Sequence, residues 1–555
     1  MGIAELSAQY WDLQMRFSPE SATMYGDHRF DSEISNVAPE TLKQVMKELR
    51  VIASQAEAID ATSLDRQDRI TREMLIDAVE SSETAIDELG LMLRIDPMIG
   101  VHSMLIAAPS RTVADQPEHA EMLLDRYRKV DELIDSHLAW HLQGVNEGRV
   151  APTGNMERAV SQLDSYLASP VDSDPFLNIS VPQWDGREAW TAAMTDVVTT
   201  SIRPALERYR DTVRSKILPH GRNQDRAGLS WVEGGADYYE RLIKDFTTVA
   251  LTADEIHEIG LEEIATSAEE FAKYGQSALG ISDLPQLFNR LRTDPALRFD
   301  STDELMEFNR SVISKAESLA PDWFGHLPEA PCEMAEIPAS LAPNMPPAYY
   351  FPPPADQSRP GTYFLNTASP TTVHRFDMVA TAVHEAVPGH HLQCAINAEA
   401  GDLPMFRRFG LVVAYSEGWG LYSERLADEM GLYPTDLDRI GMVSADAWRA
   451  ARLVVDTGIH AKGWSRDQAI AYMTDNSPVK LDTVAIEVDR YIGYPGQALT
   501  YKIGQREFQR LRELSETRLG DRFDIKEFHD TVLTSGAVPL PMLAELVEEW
   551  IESVA

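Results

Sequence analysis

The sequence predicts a mainly α-helical protein with a small β element, and three observations support this. Apolar residues recur at spacings of three and four through the first half of the chain, which is the period of an amphipathic helix. Strand-like alternation is scarce outside a proline-rich stretch between residues 327 and 370. The 555 residues are 44% apolar and 25% charged, an ordinary globular composition with ample material for a core.

The first half of the chain is predicted to be a succession of helices. Residues 40–60 and 65–95 carry apolar positions at helical spacing, and residues 114–145 repeat the pattern. A break rich in proline, aspartate and serine runs from 169 to 186. It precedes another predicted helix over residues 187–217.

Capping boxes and a change in composition distinguish the second half of the chain. A Ser or Thr followed three residues later by Glu or Gln predicts helix starts after Thr252, Ser301 and Ser465. Residues 349–351 and 362–365 are rich in aromatic and β-branched side chains and predict short strands. An exposed edge strand there could hold a peptide by main-chain pairing, or the segment is a plain connector.

One stretch, residues 384–393, has the composition of a metal site. Its sequence HEAVPGHHLQ contains the imidazoles of His384, His390 and His391 and the carboxylate of Glu385. A glutamate directly after a metal-binding histidine can lie beside the metal without binding it, and can accept a proton from metal-bound water. We therefore predict His384 as a metal ligand and Glu385 as a general base.

The second histidine ligand is less simply assigned, because Pro388 stands where an H-E-x-x-H motif would place it. On a regular helix His390 lies about 120° around the axis and about 9 Å along it from His384, whereas His391 lies on the same face but about 10 Å away. Pro388 and Gly389 can distort the helix between them. We predict His390 as the ligand and His391 as the alternative. A kinked core helix with surface histidines is the interpretation without a metal.

A third ligand is predicted on a second helix that covers residues 411–424. Glu417 stands among apolar residues, where an unpaired carboxylate is costly to bury, so we predict it as the third ligand. Glu424 is a candidate to orient a ligand histidine, or else a solvated acid. Cys394 is expected to be a small buried residue rather than a ligand, and His460 a structural histidine.

A later loop carries groups suited to stabilising a negative charge. Arg490, Tyr491 and Tyr494 precede a Pro-Gly turn at residues 495–496. Such donors can stabilise the oxyanion of a tetrahedral intermediate. A packed turn is the alternative for each of them.

The composition indicates which binding partners and which cellular compartment are expected. The 88 acidic and 50 basic residues give a net charge of −38, which disfavours nucleic acid and anionic membranes as partners. The two cysteines, Cys332 and Cys394, make no disulfide framework. The first residues lack the features of a signal peptide, and no apolar run reaches membrane-spanning length. We expect a soluble, cytoplasmic protein; its oligomeric state is left open.

Four motifs resemble those of the bacterial family known as domain of unknown function 885. Its H-E-x-x-P-G-H-H-x-Q element matches residues 384–393, and its E-G-W-x-L-Y-x-E element matches 417–424. The R-L-V-V-D-T-G-x-H run matches 452–460, and R-Y-x-x-x-P-G-Q-A-x-x-Y-x-x-G matches 490–504. The resemblance spans nearly the whole chain. It implies a mostly helical fold similar to gluzincin zinc metallopeptidases, with a deep cleft between lobes, and leaves the substrate open.

Together these features predict a zinc-dependent hydrolase that cleaves short peptides or related amides. Residues 1–240 would form an N-terminal helical lobe and residues 241–555 a metal-binding catalytic lobe. A catalytic zinc keeps one position open for water beside three protein ligands. The expected ligands are His384, His390 and Glu417, with Glu385 as base and then acid, and Arg490, Tyr491 and Tyr494 as oxyanion groups. Two alternatives are a protein that binds peptides without cleaving them and a metal-dependent hydrolase of a non-peptide ester or lactam.

Overall fold

The computed structural model of the protein describes residues 2–337, 342, 346–353, 359–410 and 412–555. These residues are mainly helical and include a small three-stranded sheet, so the predicted fold class is confirmed at that level. Parts of the predicted proline-rich segment lie outside the described residues, as does Leu411, the predicted start of the second metal-site helix. Among the described residues, no helix combines the length and apolar character needed to cross a membrane.

The chain forms two compact units. The first comprises Met1–Arg241, Ile459–Asp467 and Asp489–Tyr494, and the second comprises Leu242–Gly458, Gln468–Val488 and Pro495–Ala555. The first unit therefore takes two short segments from late in the sequence. The composition of these two segments does not indicate that they belong to the first unit.

Eleven α-helices lie in the first 212 residues of the described chain. They are α1 (Ile3–Phe17), α2 (Pro19–Met24), α3 (Pro39–Glu57), α4 (Arg66–Ala85), α5 (Glu88–Leu93), α6 (Val101–Ala107), α7 (Pro117–Arg128), α8 (Val130–Glu147), α9 (Thr153–Ala168), α10 (Arg187–Val197) and α11 (Arg203–Thr212). Single π-helical turns follow α10 and α11. Residues from α6 to α11 and the connections between them, together with Ile34 and Ile95, build an apolar core in this unit.

Fourteen further α-helices are described after residue 234. They are α12 (Gly235–Thr247), α13 (Ala253–Leu279), α14 (Leu284–Thr293), α15 (Thr302–Leu319), α16 (Met378–Glu385), α17 (His390–Glu399), α18 (Met405–Phe409), α19 (Val413–Glu429), α20 (Asp436–His460), α21 (Arg466–Asn476), α22 (Leu481–Gly493), α23 (Thr500–Leu519), α24 (Ile525–Leu533) and α25 (Leu540–Val554).

The predicted helices are present, but several are divided. The stretch 65–95 forms α4 and α5, because the Asp87 carboxylate accepts the Leu89 amide and caps a new helix. The predicted capping box at Thr252 is complete, since Thr252 and Glu255 bond each other's backbone amides. Ser301 likewise accepts the amide of its partner three residues on, at the start of α15.

The sheet contains both predicted strands and one that the sequence analysis missed. Its strands are β1 (Cys332–Glu336), β2 (Ala348–Phe351) and β3 (Gly361–Leu365), in the order β1-β3-β2. β3 pairs with β1 in parallel and with β2 antiparallel. β2 is therefore an edge strand, and it lies against α16.

Helices α19 and α23 pack closely through two glycines in the second unit. A Cβ added at Gly418 would lie 2.5 Å from Gly504 Cα, and one added at Gly504 would lie 1.9 Å from the Ala414 carbonyl oxygen. Such distances are far below normal contact, so neither position accepts a side chain without separating the helices.

We expect Gly418→Ala to destabilise the second unit by about 1–3 kcal/mol, the usual cost of overpacking a well-packed interior. Scanning calorimetry should record this as a lower unfolding temperature. Gly401→Ala is the matched control, because an added Cβ at this exposed glycine meets no atom within 4 Å. Equal unfolding temperatures for both variants would contradict the close packing of α19 on α23.

Candidate metal centre

The predicted metal-binding helix is two helices with a break between them. α16 ends at Glu385 and α17 begins at His390, so residues 386–389 leave the helical conformation. Gly389 is required at the turn, because an added Cβ would lie 2.0 Å from the His384 carbonyl oxygen. The break brings the His384 and His390 rings to a centroid separation of 4.7 Å, nearly perpendicular to each other.

Three of the predicted ligands converge in the second unit. Glu417 Oε2 lies 3.5 Å from His384 Nε2 and 3.4 Å from His390 Nε2. One donor atom from each side chain lies within 4.8 Å of the other two. Helices α16, α17 and α19 each contribute one of these residues.

His391 does not belong to this group. Its Nε2 is 3.1 Å from the Ala330 carbonyl oxygen, and its Nδ1 is 3.1 Å from the Tyr350 hydroxyl. Burial lowers the pKa of His391 to about 4, so the ring is neutral and donates one bond while accepting the other. Both ring nitrogens are therefore occupied by protein partners.

Glu424 holds the His384 ring from the other side. The Glu424 carboxylate is buried, and its Oε1 lies 2.8 Å from His384 Nδ1. Such a bond keeps a proton on Nδ1, so Nε2, which faces Glu417, is the ring nitrogen from which a metal would displace a proton. Burial alone would lower the pKa of His384, but the bonds to Glu417 and Glu424 outweigh it and raise the pKa to about 9. Glu424 is thus an orienting group and not a solvated acid.

Glu417 is held in its ionised form. Burial would raise its pKa, but the adjoining imidazoles of His384 and His390 outweigh burial and hold the pKa well below its usual range. A carboxylate that stays ionised among nitrogen donors is suited to binding a cation.

Small residues on α19 allow the His384 ring to lie against this helix. A Cβ at Gly420 would approach the ring carbon Cε1 to 2.7 Å. The neighbouring Trp419 donates its indole N–H to the Pro388 carbonyl oxygen at 2.9 Å, which ties the break between α16 and α17 to α19. The two glycines beside Trp419 thus have separate contacts, Gly418 with α23 and Gly420 with His384.

Glu385 follows His384 at the end of α16 and is held by a residue that the sequence analysis did not single out. The Tyr350 backbone N–H donates to Glu385 Oε2 at 2.9 Å. Tyr350 is in the edge strand β2, so its N–H points away from β3 and toward α16. The sequence predicted this strand but carried no signal for which of its amides would face the glutamate.

The predicted oxyanion residues belong to the first unit, whereas the three metal-ligand candidates belong to the second. Tyr491 is buried, and the Arg490 guanidinium lies 4.9 Å from the centroid of its ring. Tyr494 is half-buried. His460 has both ring nitrogens bonded, since it accepts the Leu229 amide at 3.2 Å and donates to the Tyr491 carbonyl at 3.0 Å.

Cys394, the weaker ligand candidate, is a thiol bonded to its neighbour. Its Sγ lies 3.5 Å from Gln393 Oε1. Burial, followed by the nearby charges of Glu417 and Glu385, raises its pKa to about 12. The sulfur therefore stays protonated, whereas metals bind the thiolate.

Known proteins resemble this chain in sequence and fold. Residues 19–547 match the family model described as "Bacterial protein of unknown function (DUF885)". No curated protein matches. A solved structure, "the putative lipoprotein from Colwellia psychrerythraea", is 27% identical over 99% of both chains, with a TM-score of 0.90.

A second solved structure shares the fold alone. It is described as "a putative lipoprotein of unknown function from Shewanella oneidensis" and is 19% identical over 99% of this chain and 100% of its own, with a TM-score of 0.78. Because the family model covers nearly the whole sequence, the chain belongs to the bacterial family of unknown function DUF885.

Proposed function

We propose that this protein is a zinc-dependent hydrolase that cleaves short peptides or related amides. The observation that carries the proposal is the convergence of His384, His390 and Glu417, with Glu385 next to His384 in the sequence and held by the Tyr350 amide. The two-lobed, gluzincin-like architecture implied by the sequence motifs is part of the same proposal, as are the short-peptide substrate and the cytoplasmic setting.

The donor set fits zinc better than magnesium or calcium. Two imidazole nitrogens and one carboxylate oxygen are typical of catalytic zinc sites, in which a fourth position stays open. Magnesium and calcium prefer oxygen ligands throughout. When bound, zinc would polarise a carbonyl oxygen and lower the pKa of water.

The residues around this centre have distinct proposed roles. Glu424 holds His384 so that Nε2 faces Glu417, and it fixes the proton on Nδ1. Glu385 takes a proton from the attacking water and passes it to the leaving amine. The Tyr350 amide fixes the position of the Glu385 carboxylate before the substrate arrives.

The edge strand β2 supports a peptide as substrate. An exposed edge can bind an extended peptide through main-chain hydrogen bonds. At Tyr350 the outward amide is already bonded to Glu385, so a peptide that pairs there would compete with this carboxylate. Ala348 lies two residues earlier on the strand, so its amide points to the same side. The oxyanion role predicted for Arg490, Tyr491 and Tyr494 stays a prediction from the sequence.

We expect Glu385→Gln to fold and retain zinc but to lose turnover by about 10²–10⁴-fold, because the basic oxygen is removed while the side-chain shape is kept. The assay should compare wild type and variant against dipeptides, N-blocked and C-amidated peptides, esters and lactams, with and without a chelator. If wild type hydrolyses only esters or lactams, the proposed substrate class is wrong. Peptide binding without any cleavage by wild type would indicate a binding protein, and near-normal turnover in the variant would remove Glu385 from the chemistry.

We expect His390→Ala to lose zinc and His391→Ala to keep it. The His390 ring faces Glu417, whereas both nitrogens of His391 are bonded to Ala330 and Tyr350. Elemental analysis after purification without chelators measures the difference, and circular dichroism checks that both variants fold. Zinc retained by His390→Ala and lost by His391→Ala would reverse the assignment.

We expect Glu424→Gln to keep a bound zinc but to weaken its affinity by about 10–100-fold, the usual effect of losing a carboxylate that orients a ligand histidine. Titration against a chromophoric chelator gives the affinity. Glu429→Gln on the same helix is the control, because its carboxylate pairs with Arg512 at 2.7 Å and contacts no candidate ligand among the described bonds. Equal affinities in the two variants would show that Glu424 does not orient His384.

A further inference from the structure

A second group of metal-type donors lies in the first unit, formed by His28, Asp115 and His119. His28 follows α2 in a short turn, Asp115 precedes α7, and His119 is in the first turn of α7. One donor atom from each lies within 4.8 Å of the other two. Asp115 Oδ1 is 2.5 Å from His119 Nδ1 and 3.6 Å from His28 Nε2.

A buried carboxylate orients His28 toward this group. Asp31 is fully buried, and its Oδ2 lies 2.7 Å from His28 Nδ1. Thr23 and the Arg126 guanidinium lie beside the other Asp31 oxygen and hold the carboxylate in place. His28 Nε2 is therefore the free donor atom of the ring, and it faces Asp115.

The arrangement repeats that of His384. In both places a buried carboxylate bonds Nδ1 at 2.7–2.8 Å, while Nε2 faces a second carboxylate at 3.5–3.6 Å. A second histidine completes each group. A carboxylate that fixes one ring nitrogen so that the other can bind a metal is a recurrent feature of metal sites.

We propose that His28, Asp115 and His119 bind one divalent transition metal, such as zinc, at a site of their own. This inference does not depend on the proposed hydrolase. Mixed imidazole and carboxylate donors suit zinc and its neighbours in the first transition row. The ion would join the turn after α2 to the start of α7, which are 91 residues apart in sequence between His28 and His119.

In this structure the His28 and His119 rings are not placed to share one ion. The His28 and His119 rings are stacked at 3.9 Å with an angle of 11° between them. A metal binds imidazole in the plane of the ring, so one ion cannot lie in the planes of two rings that are stacked face to face at this distance. To share an ion with His28, the His119 ring would have to turn out of the stack. Its side chain is 19% exposed, and that of Asp115 is 60% exposed.

The test counts zinc equivalents in the full chain. Protein stripped with a chelator is titrated with zinc against a fluorescent chelator, for wild type and for Asp115→Asn combined with His119→Gln. Both substituted residues are accessible, so the fold should be kept, which circular dichroism verifies. We expect the variant to bind one equivalent fewer than wild type. His220→Gln, an exposed histidine of the same unit, should bind the same number as wild type.

The outcomes separate this site from the His384 centre. Equal zinc equivalents in wild type and the double variant overturn the proposal, whatever the His384 centre does. A difference of one equivalent supports it, including the case in which wild type binds only one and the hydrolase proposal fails. Asp31→Asn adds a test of orientation, with an expected loss of zinc affinity of about 10–100-fold at this site alone. If Asp31→Asn unfolds, the zinc count of the double variant, Asp115→Asn with His119→Gln, decides whether this site binds zinc.

Discussion

The candidate centre depends on how closely α19 approaches α16. Where the two helices meet, the His384 imidazole lies against Gly420, and even a methyl group there would approach the ring to 2.7 Å. Because of this close contact, side chains of α19 reach both nitrogens of the His384 ring. Glu417 faces Nε2 and Glu424 faces Nδ1, seven residues apart, or about two turns, on α19. A larger residue at position 420 would displace both carboxylates from the histidine together.

The same helix is anchored by charges that the sequence analysis did not pair. Arg425, next to Glu424, bonds Glu270 at 2.7 Å and also bonds Asp446. Lys502 on α23 bonds Asp446 from a second side at 2.7 Å. Burial would raise the pKa of Asp446, but Arg425 and Lys502 outweigh it and keep the carboxylate ionised. Removing one member of such a network leaves a buried charge without its partner, so the network fixes where α19 can lie.

Local patterns predicted the helices and the identity of the candidate ligands, whereas contacts between distant segments were out of reach. Apolar spacing located α3 and α8, and an acid in an apolar stretch drew attention to Glu417. β1 was missed because two of its five residues are glutamates and its partner β3 begins 25 residues after β1 ends. The choice of His390 over His391 could be argued only from helix distortion, because the bonds of His391 to Ala330 and Tyr350 come from segments 41 to 61 residues away.

The break after Glu385 also changes how the centre responds to motion. In an H-E-x-x-H protease both histidines lie on one helix, so helix geometry sets their separation and the two residues move together. Here His384 and His390 belong to α16 and α17, joined by four non-helical residues and held by the bond from Trp419 to Pro388. The distance between the two imidazoles is therefore set by tertiary contacts and not by the geometry of a single helix. Any ligand or substitution that shifts α17 relative to α16 would change the spacing of these two candidate ligands, without unfolding either helix.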